Sequence, residues 1–311
     1  MKSEYVRRYQ GNPVLTKDDI PYPVETVHNA GVAKLEGRYV MLFRSHLATG
    51  RSIIGLAESD DGLNFKVRPE PFMTPAKEPP FAEYERFGVE DPRITFLEGT
   101  YYITYNAYSK HGVRVGLART SDFETVERVA WITQADCRNV AIFPRKLGGR
   151  YARLDRPHSH IIPWSIWISY SPDLVHWGGS QVVIRPVDYH WDQMKIGPGA
   201  PPIRTDKGWL NIYHGVFPTM DGSIYRLGVA LHELDRPEKV VGVADRWILQ
   251  PEDRWELVGY VHNVVFTCGA VPEDDGTLKL YWGGADSVVC VGTAVIDELV
   301  ELCLSDSRPP V

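Results

Sequence analysis

Two adjacent acidic residues stand where a strand should begin. The stretch 88–108 alternates around a Glu-Gly turn, the pattern of a β-hairpin, yet it opens with Glu90, Asp91, Pro92 and Arg93. Carboxylates disfavour strands, so this corner is either a solvated turn or a rigid position that holds a general acid. Glu90 would raise the pKa of Asp91 by repulsion and Arg93 would lower it by attraction, and the sequence leaves both outcomes open.

Other polar side chains recur at similar distances from turn glycines. The aligned residues are Asn29, Arg44, Asp91, Asn106, Arg156, His214 and Asp286. They fall at the start of one predicted strand or at the end of the next, and these two ends are neighbours in an antiparallel hairpin. Each residue alone is explained equally well as a solvated strand end. An acid, cations and amides that converge from different repeats are instead typical of an active site.

The elements that must position these residues are five hairpins with one plan: an apolar strand, a glycine turn and an aromatic-rich strand. They span 29–44, 88–108, 139–157, 199–215 and 269–286, with turn glycines Gly37, Gly99, Gly149, Gly208 and Gly276. A second pair of strands follows each hairpin. Four strands per repeat, five times, predict an all-β, five-bladed β-propeller with the active site at one mouth of its central channel.

We expect residues 1–311 to form this one domain. Residues 1–28 contain three prolines and predict an irregular lead-in that helps close the ring. Residues 293–304 predict a short C-terminal helix.

The composition argues against several classes of function. The chain has 311 residues, 43% hydrophobic and 24% charged, with a net charge of -6 and no Lys/Arg-rich block, so no nucleic-acid or membrane partner is expected. The sequence contains no run of about 18 apolar residues, so no membrane span is predicted. The N-terminus lacks the apolar region of a signal peptide. The four cysteines lack metal-binding spacing, which predicts reduced thiols in a cytoplasmic protein without a metal site.

Five motifs occur in chain order: GVEDPRITFLEGTYYITYNAY, RNVAIFPRKLGGRYARLDRP, KIGPGAPPI, YHGV and YWGGAD. Together they resemble glycoside hydrolase family 130, the β-mannoside phosphorylases, over nearly the whole chain from about Asn29 to Asp286. The fold that this resemblance implies is again a five-bladed β-propeller.

The resemblance also implies roles for the matching residues. Asp91 of the DPR motif would be the single catalytic acid, which protonates the leaving oxygen directly or through a mannose hydroxyl. The residues that would bind phosphate are Arg138, Asn139, Arg156, Lys195 and His214. The residues that would bind the mannoside are Asn29, Arg44, Arg51, Glu90, Asn106 and Asp286.

The chemistry of phosphorolysis agrees with these roles. An inverting glycosidase needs one carboxyl group to protonate the leaving oxygen and a second to activate water. Inorganic phosphate is already an anionic nucleophile, so a phosphorylase needs one acid and cations that hold phosphate. The expected reaction cleaves a β-mannosidic bond with inorganic phosphate to give α-mannose 1-phosphate and a shortened sugar, with no cofactor besides this co-substrate.

Several alternatives remain open. The compact length and the GVEDPRIT motif favour β-1,2-mannobiose or oligomannan, and the alternatives are β-1,4-linked mannosyl-glucose, mannosyl-N-acetylglucosamine and manno-oligosaccharides. The loops that could select the acceptor are 75–87, 156–164 and 187–194. Three further hypotheses for the function are a β-mannoside hydrolase, a glycosidase of the invertase or arabinanase type, and a non-catalytic carbohydrate-binding propeller. Whether the protein is a homo-oligomer is also open.

Overall fold

The computed structural model describes residues 5–311, and most of its regular structure is β-strand. The strands through the second repeat are β1 (Arg7–Arg8), β2 (Thr26–Leu35), β3 (Arg38–His46), β4 (Ser52–Ser59), β5 (Lys66–Val67), β6 (Gly88–Leu97), β7 (Thr100–Ser109), β8 (Gly112–Thr120) and β9 (Glu127–Trp131). The prediction of an all-β protein is confirmed.

The remaining strands contain the third, fourth and fifth repeats and one C-terminal strand. They are β10 (Cys137–Ile142), β11 (Tyr151–Pro157), β12 (Ile166–Ser171), β13 (Gly178–Ile184), β14 (Lys195–Pro198), β15 (Ile203–Arg204), β16 (Trp209–Thr219), β17 (Gly222–His232), β18 (Val240–Ala244), β19 (Val265–Pro272), β20 (Thr277–Gly284), β21 (Val288–Val295) and β22 (Ser307–Arg308). The helices are a 3-10 turn (Lys17–Asp19), α1 (Arg254–Leu257) and α2 (Ile296–Ser305).

These strands form four sheets. The first and second repeats share one sheet, because β4 and β6 pair in parallel at Ser52 and Gly88. The third repeat is a separate sheet, the fourth also contains β22, and the fifth also contains β1. No sheet closes on itself within residues 5–311. Each predicted hairpin contains an antiparallel strand pair.

The N-terminal segment joins the fifth repeat. The predicted irregular lead-in 1–28 includes residues 1–4, which lie outside the described residues, and it ends early because β2 begins at Thr26. Within it, β1 pairs with β21, and Leu15 forms a bridge with Val289. The first and last parts of the chain are therefore held together by backbone hydrogen bonds.

The C-terminal helix begins later than predicted. Residues 293–295 belong to β21, whose Val291, Ala294 and neighbours pair with β20, and α2 starts at Ile296. The alternating pattern of β21 continues into the predicted helix, so the boundary was set three residues early. The buried face of α2 includes Leu299 and Cys303. No helix among residues 5–311 is long and apolar enough to cross a bilayer.

Four hairpins carry a bulge near the start of their first strand. The register shifts lie between His28 and Gly31, Glu90 and Arg93, Arg138 and Ala141, and Phe266 and Gly269. A bulge adds a residue to one strand and redirects a side chain. The first three bulges contain Asn29, Asp91 and Asn139, so the bulges decide where these polar groups point.

The first strands of neighbouring repeats approach each other closely. A Cβ atom added at Gly31 of β2 would lie 2.4 Å from the carbonyl oxygen of Pro92 in β6. A Cβ atom added at Gly269 of β19 would lie 2.7 Å from the carbonyl oxygen of Ala30. Side chains would hold these backbones apart, so glycine is required where the repeats meet.

The Gly31→Ala substitution should therefore destabilise the protein. The added methyl group has backbone as its nearest neighbour, and relieving such overpacking costs about 1–3 kcal/mol. Gly178→Ala is the matched control, because a Cβ atom there meets nothing within 4 Å. Urea denaturation should show a lower free energy of unfolding for Gly31→Ala and no loss for Gly178→Ala. Equal stabilities would show that the two strands can move apart freely.

Candidate active site

A cavity of about 380 Å³ collects side chains from all five repeats. Nine of the residues predicted from the sequence line it: Asn29, Arg44, Asp91, Arg138, Asn139, Arg156, Lys195, His214 and Asp286. The acidic groups come from the second and fifth repeats, the amides from the first and third, and most cations from the third and fourth. The cavity therefore has a carboxylate side and a cationic side.

The Asp91 carboxylate lies at the centre of the carboxylate side and is almost completely buried. Its Oδ1 accepts hydrogen bonds from Asn29 Nδ2 at 2.9 Å and Arg44 Nη1 at 3.1 Å. Its Oδ2 accepts a hydrogen bond from Asn106 Nδ2 at 3.0 Å. Burial raises the pKa of Asp91, but this effect is outweighed by the charge of Arg44, the hydrogen bond from Asn29 and the charge of Arg93, which all lower the pKa. The net pKa lies below its usual range, so Asp91 is ionised in the free protein.

The lowered pKa of Asp91 agrees with the sequence alternative in which Arg93 outweighs Glu90. Glu90 still pairs with Asn106 just before the bulge, and its Oε1 accepts hydrogen bonds from Arg44 Nη2 at 2.8 Å and Ser52 Oγ at 3.2 Å. Arg93 instead contributes a positive charge close to Asp91. The guanidinium of Arg93 also donates to the carbonyl oxygens of Asp91, Pro198 and Gly199, so it joins the second repeat to the fourth.

Arg44 connects the groups of the carboxylate side. Its Nε donates to Ser52, its Nη1 to Asp91, and its Nη2 to both Glu90 and His46 Nε2. Arginine has five N–H donors and no acceptor, so His46 Nε2 must accept, and these four bonds leave one N–H of Nη1 unused. Burial lowers the pKa of His46 to about 4, and the charge of Arg44 acts in the same direction. His46 is therefore neutral near pH 7.

Backbone strain marks the same positions. Asn29, Asp91, Asn139 and Asp286 have φ angles of 50°, 51°, 61° and 49°. This left-handed region is uncommon for residues other than glycine, although Asn and Asp tolerate it best. Such strain is held in place by the surrounding fold and is frequent at functional sites.

The cationic side has few acidic partners. Arg138 Nη1 lies 3.6 Å from Glu90 Oε2, so Arg138 connects the two sides of the cavity. Arg156 Nη1 donates to His214 Nε2 at 3.0 Å. Burial lowers the pKa of Arg156 to about 10, and the like charges of Arg138 and Arg93 lower it too. Within residues 5–311 no carboxylate forms an ion pair with Arg156 or Lys195.

His214 is neutral and fully buried. Burial lowers its pKa well below the usual value, and the charges of Arg156, Arg93 and Lys195 add to this effect. Because Arg156 can only donate, His214 Nε2 accepts and the ring proton is on Nδ1. His214 in this arrangement orients Arg156 and does not itself offer a proton from Nε2.

Asp286 has the opposite tendency to Asp91. Burial raises the pKa of Asp286 to about 6, Arg44 lowers it, and the negative charges of Asp91 and Glu90 raise it. The two carboxyl groups of one cavity therefore differ strongly in proton affinity. Among residues 5–311 no three His, Cys, Asp or Glu side chains converge as a metal-binding cluster.

Residues 4–305 match the model of glycoside hydrolase family 130, which is described as β-1,4-mannooligosaccharide phosphorylase. The chain belongs to glycoside hydrolase family 130. The predicted resemblance to this family is thereby confirmed.

Individual relatives agree with this assignment. A 1,2-β-oligomannan phosphorylase of Thermoanaerobacter sp. (strain X514) is 33% identical over 303 residues, covering 94% of this chain and 97% of the relative. A β-1,2-mannobiose phosphorylase of Listeria innocua serovar 6a is 38% identical over 271 residues, covering 86% and 71%. The solved structure of β-1,2-mannobiose phosphorylase from Listeria innocua with β-1,2-mannobiose matches with a TM-score of 0.89 at 30% identity, covering 96% of this chain and 99% of that chain.

Three residues of the predicted site in this family 130 protein lie outside the cavity wall. Glu90 and Asn106 are buried behind Asp91 and Arg44, and they hold those two side chains. Arg51 is exposed in the turn between β3 and β4 and does not line the cavity.

Six other residues line the cavity and were not predicted: His158, Trp164, Tyr225, Val261, Val264 and Phe266. His158 and Trp164 belong to loop 156–164, which was predicted only as a loop for acceptor selection. Tyr225 lies in β17, beyond the YHGV motif and outside the aligned hairpin of the fourth repeat. Val261 and Val264 lie between the fourth and fifth repeats. Neither the repeat alignment nor the quoted motifs contain them, so only the fold could reveal them.

Asp91 and Asp286 should have opposite effects on stability. The pKa of Asp91 lies below its unfolded value, so its charge stabilises the fold at neutral pH and this contribution is lost as the pH falls. The pKa of Asp286 is raised to about 6, so stability decreases as the pH rises from the unfolded pKa to about 6. At about pH 7.5 Asp91→Asn should lower the free energy of unfolding, and Asp286→Asn should raise it by about 1–3 kcal/mol because Asp286 is partly exposed to the cavity.

Urea denaturation at about pH 7.5 and about pH 4 checks both signs, because the gain in Asp286→Asn should shrink at the lower pH. A gain that is the same at both pH values would mean that ionisation of Asp286 is not its cause.

Proposed function

We propose that this protein is an inverting phosphorylase of β-mannosides, which uses inorganic phosphate to release α-mannose 1-phosphate and a shortened sugar. The observation that carries the proposal is a cavity in which a buried carboxylate, Asp91, faces the cations Arg156 and Lys195, which have no carboxylate partner among residues 5–311. Unpaired cations in a buried site favour a dianionic ligand such as phosphate.

Phosphate would bind on the cationic side of the cavity. Arg138 and Arg156 offer planar guanidinium groups, which pair with phosphate oxygens, and Lys195 offers an ammonium group. Asn139 lies beside them with its side-chain nitrogen 3.5 Å from His214 Nε2. His214 would act by orienting Arg156. We propose that no metal or organic cofactor is needed, because phosphate is itself the nucleophile.

The mannosyl unit would bind on the carboxylate side. Asn29, Arg44 and Asp286 face the cavity there, and the remaining N–H of Arg44 is available to a sugar hydroxyl. Glu90 and Asn106 would support this side from behind.

Asp91 would be the catalytic acid. It is ionised in the free protein, and the negative charge of bound phosphate would raise its pKa and favour its protonated form. The bond from the anomeric carbon to the leaving oxygen breaks, and a bond from that carbon to a phosphate oxygen forms on the opposite face. Asp91 supplies the proton for the leaving oxygen, directly or through a mannose hydroxyl. The proton of hydrogen phosphate then restores Asp91.

We infer a β-1,2-linked mannobiose or oligomannan as the substrate. Relatives with these names cover most of the chain, as does a solved structure that contains β-1,2-mannobiose. The description of the family keeps β-1,4-linked mannosides as the alternative.

We also infer that the repeats are the blades of a single five-bladed propeller and that the cavity lies at the mouth of its channel. Contacts between repeats support a ring: β2 contacts β6 and β19, β10 contacts β6 and β14, and β16 contacts β14 and β19. A cytoplasmic location is proposed because all four cysteines are unpaired thiols.

A β-mannoside hydrolase is the second candidate. Asp91 and Asp286 share a cavity and their pKa values are shifted apart, which is how an acid and a base are assigned in hydrolases with two carboxyl groups. The unpaired cations favour the phosphorylase.

Product analysis separates the two functions. Incubation with β-1,2-mannobiose, β-1,4-mannobiose or mannosyl-N-acetylglucosamine should yield α-mannose 1-phosphate only when inorganic phosphate is present, and we expect β-1,2-mannobiose to react fastest. Release of free mannose at the same rate without phosphate would establish the hydrolase instead.

Asp91→Asn should lower kcat for phosphorolysis by about 10²- to 10⁴-fold, because the amide cannot donate the proton as an acid does. The KM for the mannoside should change much less. Asp122→Asn, at an exposed turn, is the control and should keep wild-type turnover. Release of α-mannose 1-phosphate measures both variants, and wild-type kcat in Asp91→Asn would remove Asp91 from the mechanism.

A further inference from the structure

Arg156 and Lys195 must be held in position by something other than a carboxylate. Arg156 is 6% exposed, its Nε has no hydrogen-bond partner, and its Nη1 donates to a neutral ring, His214. Burying an unpaired cation costs free energy, and a long flexible side chain without partners does not keep one orientation. The two cations therefore need another contact that fixes them.

The indole of Trp164 supplies that contact. Arg156 Cζ lies 5.5 Å and Lys195 Nζ 5.2 Å from the centre of this ring. Both distances are within the range in which the negative face of an aromatic ring attracts a cation. Tyr225 contacts the Lys195 ammonium at 5.5 Å, so that ammonium has two aromatic neighbours.

Trp164 is itself fixed by hydrogen bonds. Its Nε1 donates to the carbonyl oxygen of Ser159 at 3.0 Å, and its carbonyl oxygen accepts from Ile196 N at 3.0 Å. The second bond links Trp164 to the residue next to Lys195. The ring of His158 lies 5.0 Å from the indole on the cavity wall. These contacts place the indole between the third and fourth repeats.

We infer that Trp164 is a positioning residue for phosphate binding, because it orients Arg156 and Lys195 without neutralising them. The inference rests on the proposed function. A carboxylate would also hold the two cations, but phosphate would then have to displace it. An aromatic ring attracts cations through its quadrupole and carries no net charge, so the full positive charge of both residues remains for the dianion.

Another arginine of the same strand shows the alternative arrangement. Arg153 lies over the ring of Trp177 at 4.4 Å, but its Nε also donates to Asp155 Oδ2 at 2.9 Å. Arg153 and Asp155 line a different cavity from Arg156. In β11 a neutralised arginine and an unpaired arginine thus each contact a tryptophan, and only the unpaired one reaches the predicted phosphate site.

The test compares Trp164→Leu with Trp164→Phe. Leucine removes the π face but stays apolar, whereas phenylalanine keeps a smaller π face. We expect Trp164→Leu to raise the KM for inorganic phosphate about tenfold. In Trp164→Phe the KM for phosphate should stay much closer to the wild-type value. The KM for β-1,2-mannobiose at saturating phosphate should change little. Trp177→Leu is the matched control, since its ring also contacts an arginine and donates its N–H to a backbone carbonyl, and it should keep the wild-type KM for phosphate.

A second readout does not depend on turnover. Inorganic phosphate should raise the thermal midpoint of the wild-type protein, because a ligand of the folded state stabilises it. The increase of the thermal midpoint by phosphate should be smaller in Trp164→Leu than in the wild type, and nearly equal to the wild-type increase in Trp164→Phe.

Four outcomes would contradict the inference. Equal KM values for phosphate in the Leu and Phe variants would show that the π face does not matter. An increase confined to the KM for mannobiose would make Trp164 a sugar-binding residue. A wild-type protein that neither needs phosphate for turnover nor gains thermal stability from it would overturn the proposed function and this inference together, whereas a phosphate-dependent wild type with an unchanged Trp164→Leu would overturn the inference alone.

Discussion

The hydrogen bonding of one buried carboxylate organises the centre of this protein. Asp91 is nearly inaccessible to water, and a buried charge persists only where donors surround it. Its donors come from two repeats: Asn29 and Arg44 from the first, and Asn106 from the second. The backbone carbonyl of Asp91 also accepts from Arg93, whose guanidinium reaches the fourth repeat. The ionisation of Asp91 consequently depends on the arrangement of the repeats, because moving the first repeat away from the second would remove hydrogen-bond donors from the carboxylate.

The charged side chains on the two sides of the cavity have different kinds of partners. On one side Arg44 contacts both Glu90 and Asp91, so opposite charges are largely paired before any substrate arrives. On the other side Arg156 and Lys195 have aromatic and imidazole neighbours in place of acids. A buried unpaired cation such as Arg156 and a carboxyl group with a raised pKa such as Asp286 both cost stability in the free protein. That cost is expected if the site binds a phosphate dianion as proposed, because functional sites often give up stability.

The repeated bulge explains how one strand plan serves different chemistry. In three hairpins the extra residue presents Asn29, Asp91 or Asn139 towards the cavity, in a left-handed backbone conformation that these side chains tolerate. An amide therefore occupies in the first and third repeats the place that a carboxylate occupies in the second. This substitution limits the cavity to a single acid at the three equivalent positions, which suits a reaction whose nucleophile is already charged.

The sequence by itself determined the strand plan, because glycine turns and alternating apolar positions are local signals: the turn glycines Gly37, Gly99, Gly149 and Gly276 have φ angles of 84°, 80°, 77° and 81°. Motifs in chain order likewise identified the family, and together with the alignment of the repeats they identified nine residues of the cavity. The sequence could not decide whether Glu90 or Arg93 sets the proton affinity of Asp91, because Arg44 from another strand contacts both carboxylates and lowers the pKa of Asp91. Nor could it reveal Trp164, whose partners Arg156 and Lys195 belong to different repeats. Both were decided by tertiary structure, since electrostatic and cation–π energies depend on distances between atoms that are far apart in the chain.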